Sequence, residues 1–168
     1  MQRCFVALPM SEEVLASVGE LLMRLKGAGA DVRWVKPEAL HLTLKFLGEI
    51  AAGRVDVVKK VLREVAAVHP RFTMKVAGVG GFPALRNPRV VWAGISTGME
   101  LGLLQSDVEA RLAAEGFERE DRPFRAHLTL GRIRSRKNME GALNILESAS
   151  DTVFGTVAGN PGCPIGKG

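Results

Sequence analysis

The feature that most constrains this chain is a tetrapeptide that occurs twice. The sequence HLTL at His41–Leu44 recurs at His127–Leu130, and the two copies contain two of the three histidines among the 168 residues. Successive side chains of an extended strand point to opposite faces. Each copy therefore predicts an amphipathic strand that presents His and Thr on one face and two leucines on the other.

The remaining sequence alternates between helix-like and strand-like segments. Helices are predicted after the N-cap residue Ser11 and at about residues 53–68, 97–114 and 138–148, and a glycine-rich turn is predicted at 78–83. Each half then reads as strand, helix, one or two strands and the HLTL strand, which resembles an internal duplication. We therefore expect an α+β fold with two lobes in a pseudo-two-fold arrangement. Antiparallel sheets should line a central groove, with the helices outside.

The predicted domain organisation is simple. Residues 1–157 are expected to form a single bilobal domain, because 46% hydrophobic residues are enough for one core. Residues 158–168 contain four glycines and two prolines and are expected to be disordered. No stretch reaches the roughly 18 apolar residues of a membrane span. An N-terminus without secretory features and two cysteines, Cys4 and Cys163, predict a reducing cytoplasm, with a disulfide between them as the alternative.

The charge balance favours anionic partners. A net charge of +5 attracts them through long-range electrostatics, although the same charge fits a protein that is simply soluble. Aromatic residues make up 5% of the chain and tyrosine is absent, which argues against the aromatic stacking platform of RRM-type RNA-binding domains.

The paired motif suits acid–base chemistry on a phosphodiester. Histidine is the side chain whose ordinary pKa lies near neutrality, so one imidazole can accept a proton while a second donates one. Two facing strands would place His41 and His127 on opposite sides of one phosphorus atom. Thr43 and Thr129 follow on the same strand faces, where their hydroxyls could donate to phosphate oxygens.

Neighbouring cations are further candidates for neutralising phosphate charge. By strand parity Lys45 shares the face of His41, and Arg125 shares the face of His127. Arg132 has the opposite parity, but a bulge at Gly131 would turn it toward the groove. The opposite face is predicted to belong to the core, with Leu42, Leu44, Phe46, Leu128 and Leu130.

Plainer interpretations also exist for these residue types. A single His-x-Thr strand is more often just the polar face of a sheet, and the second identical copy is what favours function. His69 is expected to be a favourable charge at a helix C-terminus, and Trp34 and Trp92 are expected to pack against the sheets. The sequence lacks a P-loop, a G-x-S-x-G elbow and a zinc-ligand spacing, so we predict neither a cofactor nor a metal.

The segments Arg33–Gly48 and Pro123–Arg132 resemble the RNA 2′,3′-cyclic phosphodiesterase family, also called the 2′-5′ RNA ligase family, within the 2H phosphoesterase superfamily. The opening strand, residues 3–9, is similar too, and the resemblance covers roughly residues 1–157. It implies a bilobal α+β fold and metal-independent hydrolysis of terminal 2′,3′-cyclic phosphates to 2′-phosphates. It also implies a reverse reaction, which joins a cyclic end to a 5′-hydroxyl without ATP.

The resemblance also assigns roles to individual residues. It implies that His41 is the proton donor and His127 the proton acceptor. Thr43 and Thr129 would hold the phosphate oxygens, and Arg132 would contact phosphate or RNA. The chain departs from the family at Ala126, where members commonly have proline, and in its Gly/Pro-rich tail, where members usually continue with an apolar strand.

The resulting hypothesis is a monomeric cytoplasmic enzyme without an obligatory protein partner. Its substrate would be RNA with 2′,3′-cyclic phosphate ends, tRNA fragments among the candidates. One alternative is a phosphodiesterase for small cyclic nucleotides, ADP-ribose cyclic phosphate or 2′-5′ oligonucleotides. Another is an RNA-binding module without catalytic activity.

Overall fold

The computed structural model of the chain describes residues 1–162 and 165–167, which form eight strands and four α-helices. A 3₁₀ turn at Pro37–Ala39 precedes the first HLTL strand. In chain order the elements are β1 (Gln2–Pro9), α1 (Glu12–Gly27), β2 (Val32–Trp34), β3 (His41–Ile50), α2 (Ala52–Val68), β4 (Phe72–Ala84), β5 (Asn87–Ser96), α3 (Glu100–Ala114), β6 (His127–Ile133), α4 (Met139–Ser148), β7 (Val153–Gly159) and β8 (Ile165–Lys167).

The strands form two antiparallel sheets. A three-stranded sheet has the order β3-β1-β8, and a five-stranded sheet has the order β2-β6-β5-β4-β7. Three helices pack on these sheets, α3 against β3, α4 against β4 and α1 against β7, and α2 packs on α3. The predicted α+β class with antiparallel sheets and external helices is therefore confirmed.

The first helix shows how the sequence specifies its own boundaries and buried face. The Ser11 hydroxyl accepts a hydrogen bond from the Val14 amide and donates one to the Thr156 carbonyl, so the cap also ties α1 to β7. Glu12 and Glu13 in the first turn are favoured by the helix dipole. The buried residues of α1 recur at helical spacing: Val14, Val18, Leu21, Leu22 and Leu25.

The predicted glycine-rich turn at 78–83 is wrong, because these residues continue strand β4. Gly80 pairs with Trp92, and a Cβ atom at Gly80 would overlap the indole ring. Glycine is therefore used here to let an aromatic ring lie across the strand rather than to turn the chain. The sequence pattern predicts the second motif strand over Pro123–Ile133, but the strand begins at His127 and leaves 123–126 outside.

The C-terminal segment is more ordered than the expected disordered tail at 158–168. Strand β7 runs to Gly159, and Ile165–Lys167 forms β8, which pairs with residues 4–6 of β1. The sequence did not predict this strand, because three residues are too few to show the alternation of apolar and polar side chains that marks a strand. The described residues do not include Cys163, Pro164 and Gly168. The alternative of a disulfide between Cys163 and the buried Cys4 therefore also lies outside the described residues. In the part of the chain that the structure describes, no helix is long and apolar enough to cross a membrane.

Candidate active site

The fold brings the two HLTL motifs together. Strands β3 and β6 belong to different sheets, yet Cα atoms of the two strands approach within 8 Å. Both strands begin at their histidine. The histidine and threonine of each motif are half-buried, whereas both leucines are buried. The burial pattern is the same, residue by residue, over His41–Leu47 and His127–Ile133.

A β-bulge interrupts each motif strand at the same position. In β3, Thr43 pairs with Ala7 and Lys45 with Val6, so Leu44 is the extra residue. In β6 the two residues on either side of Leu130 likewise pair with consecutive residues of β5. Because a bulge shifts the alternation of side chains by one residue, the faces beyond it are exchanged.

The bulges decide which later residues share the histidine faces. Phe46 and Arg132, at equivalent positions, are exposed, whereas Lys45 and Gly131 are buried. Arg132 thus lies on the face of Thr129, with the extra residue at Leu130 rather than at Gly131. The prediction that Phe46 belongs to the core is wrong, since it is 73% exposed.

The predicted placement of Lys45 on the His41 face is also wrong. Its side chain is 4% exposed, and Nζ lies 2.7 Å from Glu109 Oε1 and donates to the Glu118 carbonyl at 2.7 Å. The Leu44 bulge turns this lysine inward, where it forms a buried ion pair between β3 and α3. The structure therefore places Lys45 behind the motif, paired with an acidic residue of the protein itself.

Each motif histidine packs against an aromatic ring. The Phe5 ring stacks on His41 with centroids 4.6 Å apart and an interplanar angle of 12°. The Trp92 ring lies 5.5 Å from His127 at 35°. Both aromatic side chains lie across a glycine of the neighbouring strand, Gly166 for Phe5 and Gly80 for Trp92, where a Cβ atom would overlap the ring.

The surroundings lower the pKa of both histidines below the ordinary value of 6.5. At His41, burial lowers the pKa and a hydrogen bond with the Ala39 backbone partly opposes the shift. At His127, burial lowers the pKa and the positive charge of Arg125 lowers it further. The two modifying groups, Ala39 and Arg125, each stand two residues before their histidine, and they act in opposite directions.

The comparison with known proteins agrees with this arrangement of paired motifs. The sequence model of the family described as LigT like Phosphoesterase matches residues 8–92 and 95–156. The chain belongs to this family. The resemblance inferred from the two motif segments is therefore confirmed, and the chain is a phosphoesterase.

Individual LigT-like relatives match along most of the chain. An Archaeoglobus fulgidus protein named RNA 2′,3′-cyclic phosphodiesterase is 39% identical over 153 residues, which cover 91% of this chain and 84% of the relative. A Methanothermobacter thermautotrophicus protein of the same name is 30% identical over 155 residues, which cover 92% of this chain and 84% of the relative.

Two solved structures share the fold. The crystal structure of TT0787 from Thermus thermophilus matches with a TM-score of 0.75 at 23% identity, covering 98% of this chain and 94% of that protein. The crystal structure of Escherichia coli LigT complexed with 3′-AMP matches with a TM-score of 0.64 at 26% identity, covering 94% of this chain and 83% of LigT.

Several residues of this LigT-like site were not predicted from the sequence. Phe5 and Trp92 contact His41 and His127, and Glu109 pairs with the buried Lys45 behind the motif, but each is distant in sequence from the group that it contacts. One signal in the sequence could have indicated Trp92 and Phe5. Each is an aromatic residue in a strand whose neighbouring strand contains a glycine, and such a glycine leaves room for an aromatic ring. His69, the third histidine, ends α2 and hydrogen-bonds Asp107 at 2.7 Å, apart from the motifs. Among the described residues, no group of three His, Cys, Asp or Glu side chains could hold a metal ion.

Proposed function

We propose that this chain hydrolyses RNA 2′,3′-cyclic phosphate ends to 2′-phosphates. The observation that carries the proposal is the approach of two HLTL strands from different sheets, each with His and Thr on its half-buried face. The activity named for the relatives from Archaeoglobus fulgidus and Methanothermobacter thermautotrophicus supports it. The reaction needs one proton acceptor and one proton donor, which are the two groups that the paired motif supplies.

We propose that His127 accepts the proton and His41 donates it. His127 would take a proton from water as the water oxygen attacks phosphorus. The bond from phosphorus to the 3′-oxygen would break, and His41 would protonate that oxygen, leaving a 3′-hydroxyl and a 2′-phosphate. The effects of Ala39 and Arg125 support this assignment, because Arg125 disfavours the protonated form of His127 whereas the bond to Ala39 favours that of His41.

The negative charge of the substrate would favour the protonated form of His41, which is the form that donates a proton. Burial lowers the pKa of His41 and so disfavours its protonated form in the free enzyme. A bound cyclic phosphodiester anion beside the ring would raise that pKa and favour the protonated form. The hydroxyls of Thr43 and Thr129 would donate to phosphate oxygens, Arg125 would offset negative charge that develops there, and Arg132 would contact the RNA.

The finer features of the function are proposals of the same kind. Ligation of a cyclic end to a 5′-hydroxyl is the same ring-opening step with the hydroxyl in place of water. The 5′-oxygen would bond to phosphorus and give up its proton to His127, and the bond from phosphorus to the 3′-oxygen would break with a proton from His41, leaving a 2′-5′ phosphodiester and a 3′-hydroxyl. The strain of the cyclic ester supplies its driving force, so no ATP is required. We further propose a cytoplasmic monomer that acts on RNA fragments, including those of tRNA, without a protein partner, a cofactor or a metal.

The test is turnover of an oligoribonucleotide that ends in a 2′,3′-cyclic phosphate, with the 2′-phosphate product identified. His41→Ala and His127→Ala should each lower kcat about 10²–10⁴-fold, the usual contribution of general acid–base catalysis. His69→Ala is the matched control, since it removes the remaining histidine without touching the motifs. Circular dichroism should show that all three variants remain folded.

Three outcomes would contradict the proposal. The first is normal turnover in either motif variant, and the second is loss of turnover in excess chelator. The third is tight binding of RNA, with or without a cyclic end, and no product, which would support the RNA-binding module instead. Faster turnover of a cyclic mononucleotide than of RNA would favour the small-nucleotide alternative.

A further inference from the structure

A row of cross-strand neighbours crosses the five-stranded sheet next to the candidate active site. Phe82 on β4 pairs with Val90 on β5, Val90 pairs with Arg132 on β6, and Arg132 pairs with Arg33 on β2. We call these four residues the arginine row. The neighbouring row contains Thr129, which pairs with Trp92, and Trp92 in turn pairs with Gly80.

The arginine row lies on the same face of the sheet as the histidine. The pairing of β4 with β5 is regular from Gly80–Trp92 to Phe82–Val90, so Val90 shares the face of Trp92. Trp92 contacts the His127 ring and therefore marks the face of the motif. Directly paired residues share a face, so Phe82, Arg132 and Arg33 lie on it as well.

Three of the four residues of the arginine row are exposed, and the row carries positive charge without an acidic partner. Phe82 is 59% exposed, and both arginines are exposed. Like charges directly opposite one another on a sheet destabilise it. Within the described residues, neither Arg33 nor Arg132 forms an ion pair or a side-chain hydrogen bond. Two directly paired arginines without an acidic partner leave positive charge that an anion can neutralise.

We propose that the arginine row binds the nucleotide that precedes the cyclic end of an RNA strand. The phosphate that links this nucleotide to the terminal one would lie between Arg33 and Arg132, and its base would stack on Phe82. The proposal rests on the proposed function and deepens it, because it makes single-stranded RNA of two or more nucleotides the preferred substrate over a cyclic mononucleotide.

The spacing of the row fits this occupant. Arg132 follows Thr129 by three residues that include a bulge, which places it about 7–10 Å further along the strand. One nucleotide of a single strand spans that distance. Phe82 lies two strands away from Arg132, or about 10 Å, which is the reach of a base from its own phosphate. The aromatic ring accepts any base, because stacking requires only a π-face.

The experiment compares two substrates, adenosine 2′,3′-cyclic phosphate and an adenosine dinucleotide that ends in a 2′,3′-cyclic phosphate. Arg33→Gln should lower kcat/KM about tenfold for the dinucleotide, because it removes a charge-assisted phosphate contact. It should leave kcat/KM for the mononucleotide within about twofold. The dependence of log KM on log salt for the dinucleotide should become shallower by about 0.7, the loss expected for one phosphate contact on a single strand.

Two further variants make the result specific. Phe82→Ala should lower kcat/KM for the dinucleotide about fivefold or more and spare the mononucleotide, because base stacking is lost. Arg24→Gln is the matched control, since it removes the same charge from the exposed surface of α1 and should change neither substrate. Arg33→Lys, which keeps the charge, should restore part of the selectivity.

The possible outcomes separate this inference from the proposed function. If the wild-type chain turns over neither substrate, the proposed function fails. If it turns over the dinucleotide, but Arg33→Gln and Phe82→Ala lower both substrates equally or neither, the arginine row is not a nucleotide site. An equal loss in Arg24→Gln would show that the effect is long-range charge alone, which also overturns the inference.

Discussion

The two HLTL strands share their sequence, their bulge and their burial pattern, but they differ in the two residues after the motif. In the three-stranded sheet these residues are Lys45 and Phe46, and in the five-stranded sheet they are Gly131 and Arg132. One strand thus has a buried cation behind it and an aromatic ring on the face of His41. The other has a glycine behind it and a cation on the face of His127.

This difference shows where two identical motifs can acquire different roles. A buried lysine must be neutralised within the protein, so its charge serves the packing of β3 on α3. Gly131 instead makes room for Trp34, whose Cε3 atom would lie 2.5 Å from an added Cβ. The cation that shares a face with the motif therefore occurs on the β6 side, and the asymmetry of the site arises from residues that the motif does not include.

The largest expected effect on stability concerns Lys45, the buried cation behind the β3 motif. Lys45→Met should lower the free energy of unfolding by about 3–5 kcal/mol, because it leaves Glu109 as an unpaired buried charge. Chemical denaturation would measure the change. Lys45→Met combined with Glu109→Leu should recover most of the stability, because no unpaired charge remains.

The same pair of variants distinguishes packing from catalysis at Lys45. A structural role predicts that the double variant regains turnover as it regains stability. A double variant that is stable but remains without turnover would show that Lys45 contacts the phosphate, against its buried position beside Glu109.

A second prediction compares the glycines beneath the two aromatic rings. Gly80→Ala should destabilise the protein by about 1–3 kcal/mol, since the added methyl overlaps Trp92 inside a five-stranded sheet. Gly166→Ala should cost less than about 1 kcal/mol, because β8 is a three-residue edge strand that can move away from Phe5. Thermal and chemical denaturation of both variants would measure the difference.

Turnover of these variants tests whether the rings position the histidines. Both should lower kcat more than they raise KM if the displaced ring moves its histidine. Gly166→Ala combined with Phe5→Leu should then lose no more activity than Phe5→Leu alone, because the methyl acts through the ring. Additive losses would show that Gly166 acts independently of Phe5.

The sequence predicts the parts of this molecule that depend on local pattern. The cap at Ser11, the helices and the paired motif strands follow from spacing and residue type, and the paired motif is enough to indicate the family. The errors have a common physical origin in tertiary contacts. Strict alternation places Lys45 on the groove and Phe46 in the core, because a bulge at Leu44 leaves no mark in a run of alternating leucines.

The glycines mislead for a related reason. Local composition assigns Gly80 to a turn and Gly166 to a disordered tail, since glycine is usually a sign of chain flexibility. In the structure each glycine lies under an aromatic side chain from the neighbouring strand. That requirement belongs to a pair of strands that are distant in sequence, and no local window contains it.

The smallest expected effect concerns the residues two positions before each histidine. Arg125→Gln should raise the pKa of His127, because it removes the positive charge that disfavours the imidazolium, and it should leave the pKa of His41 unchanged. NMR titration of the ring protons would measure both values.

Since both histidines have a lowered pKa in the folded state, they contribute stability above pH 6.5. That contribution is lost as the pH falls from 6.5 through the lowered values.

The pH profile of the same variant assigns the acid and the base. If His127 is the base, kcat/KM rises with pH as this imidazole loses its proton, so the acidic limb of the profile reports its pKa. Arg125→Gln should then move the acidic limb to higher pH and leave the alkaline limb in place. Movement of the alkaline limb alone would reverse the assignment and make His127 the proton donor. Two identical motifs would then take their roles from something other than Ala39 and Arg125.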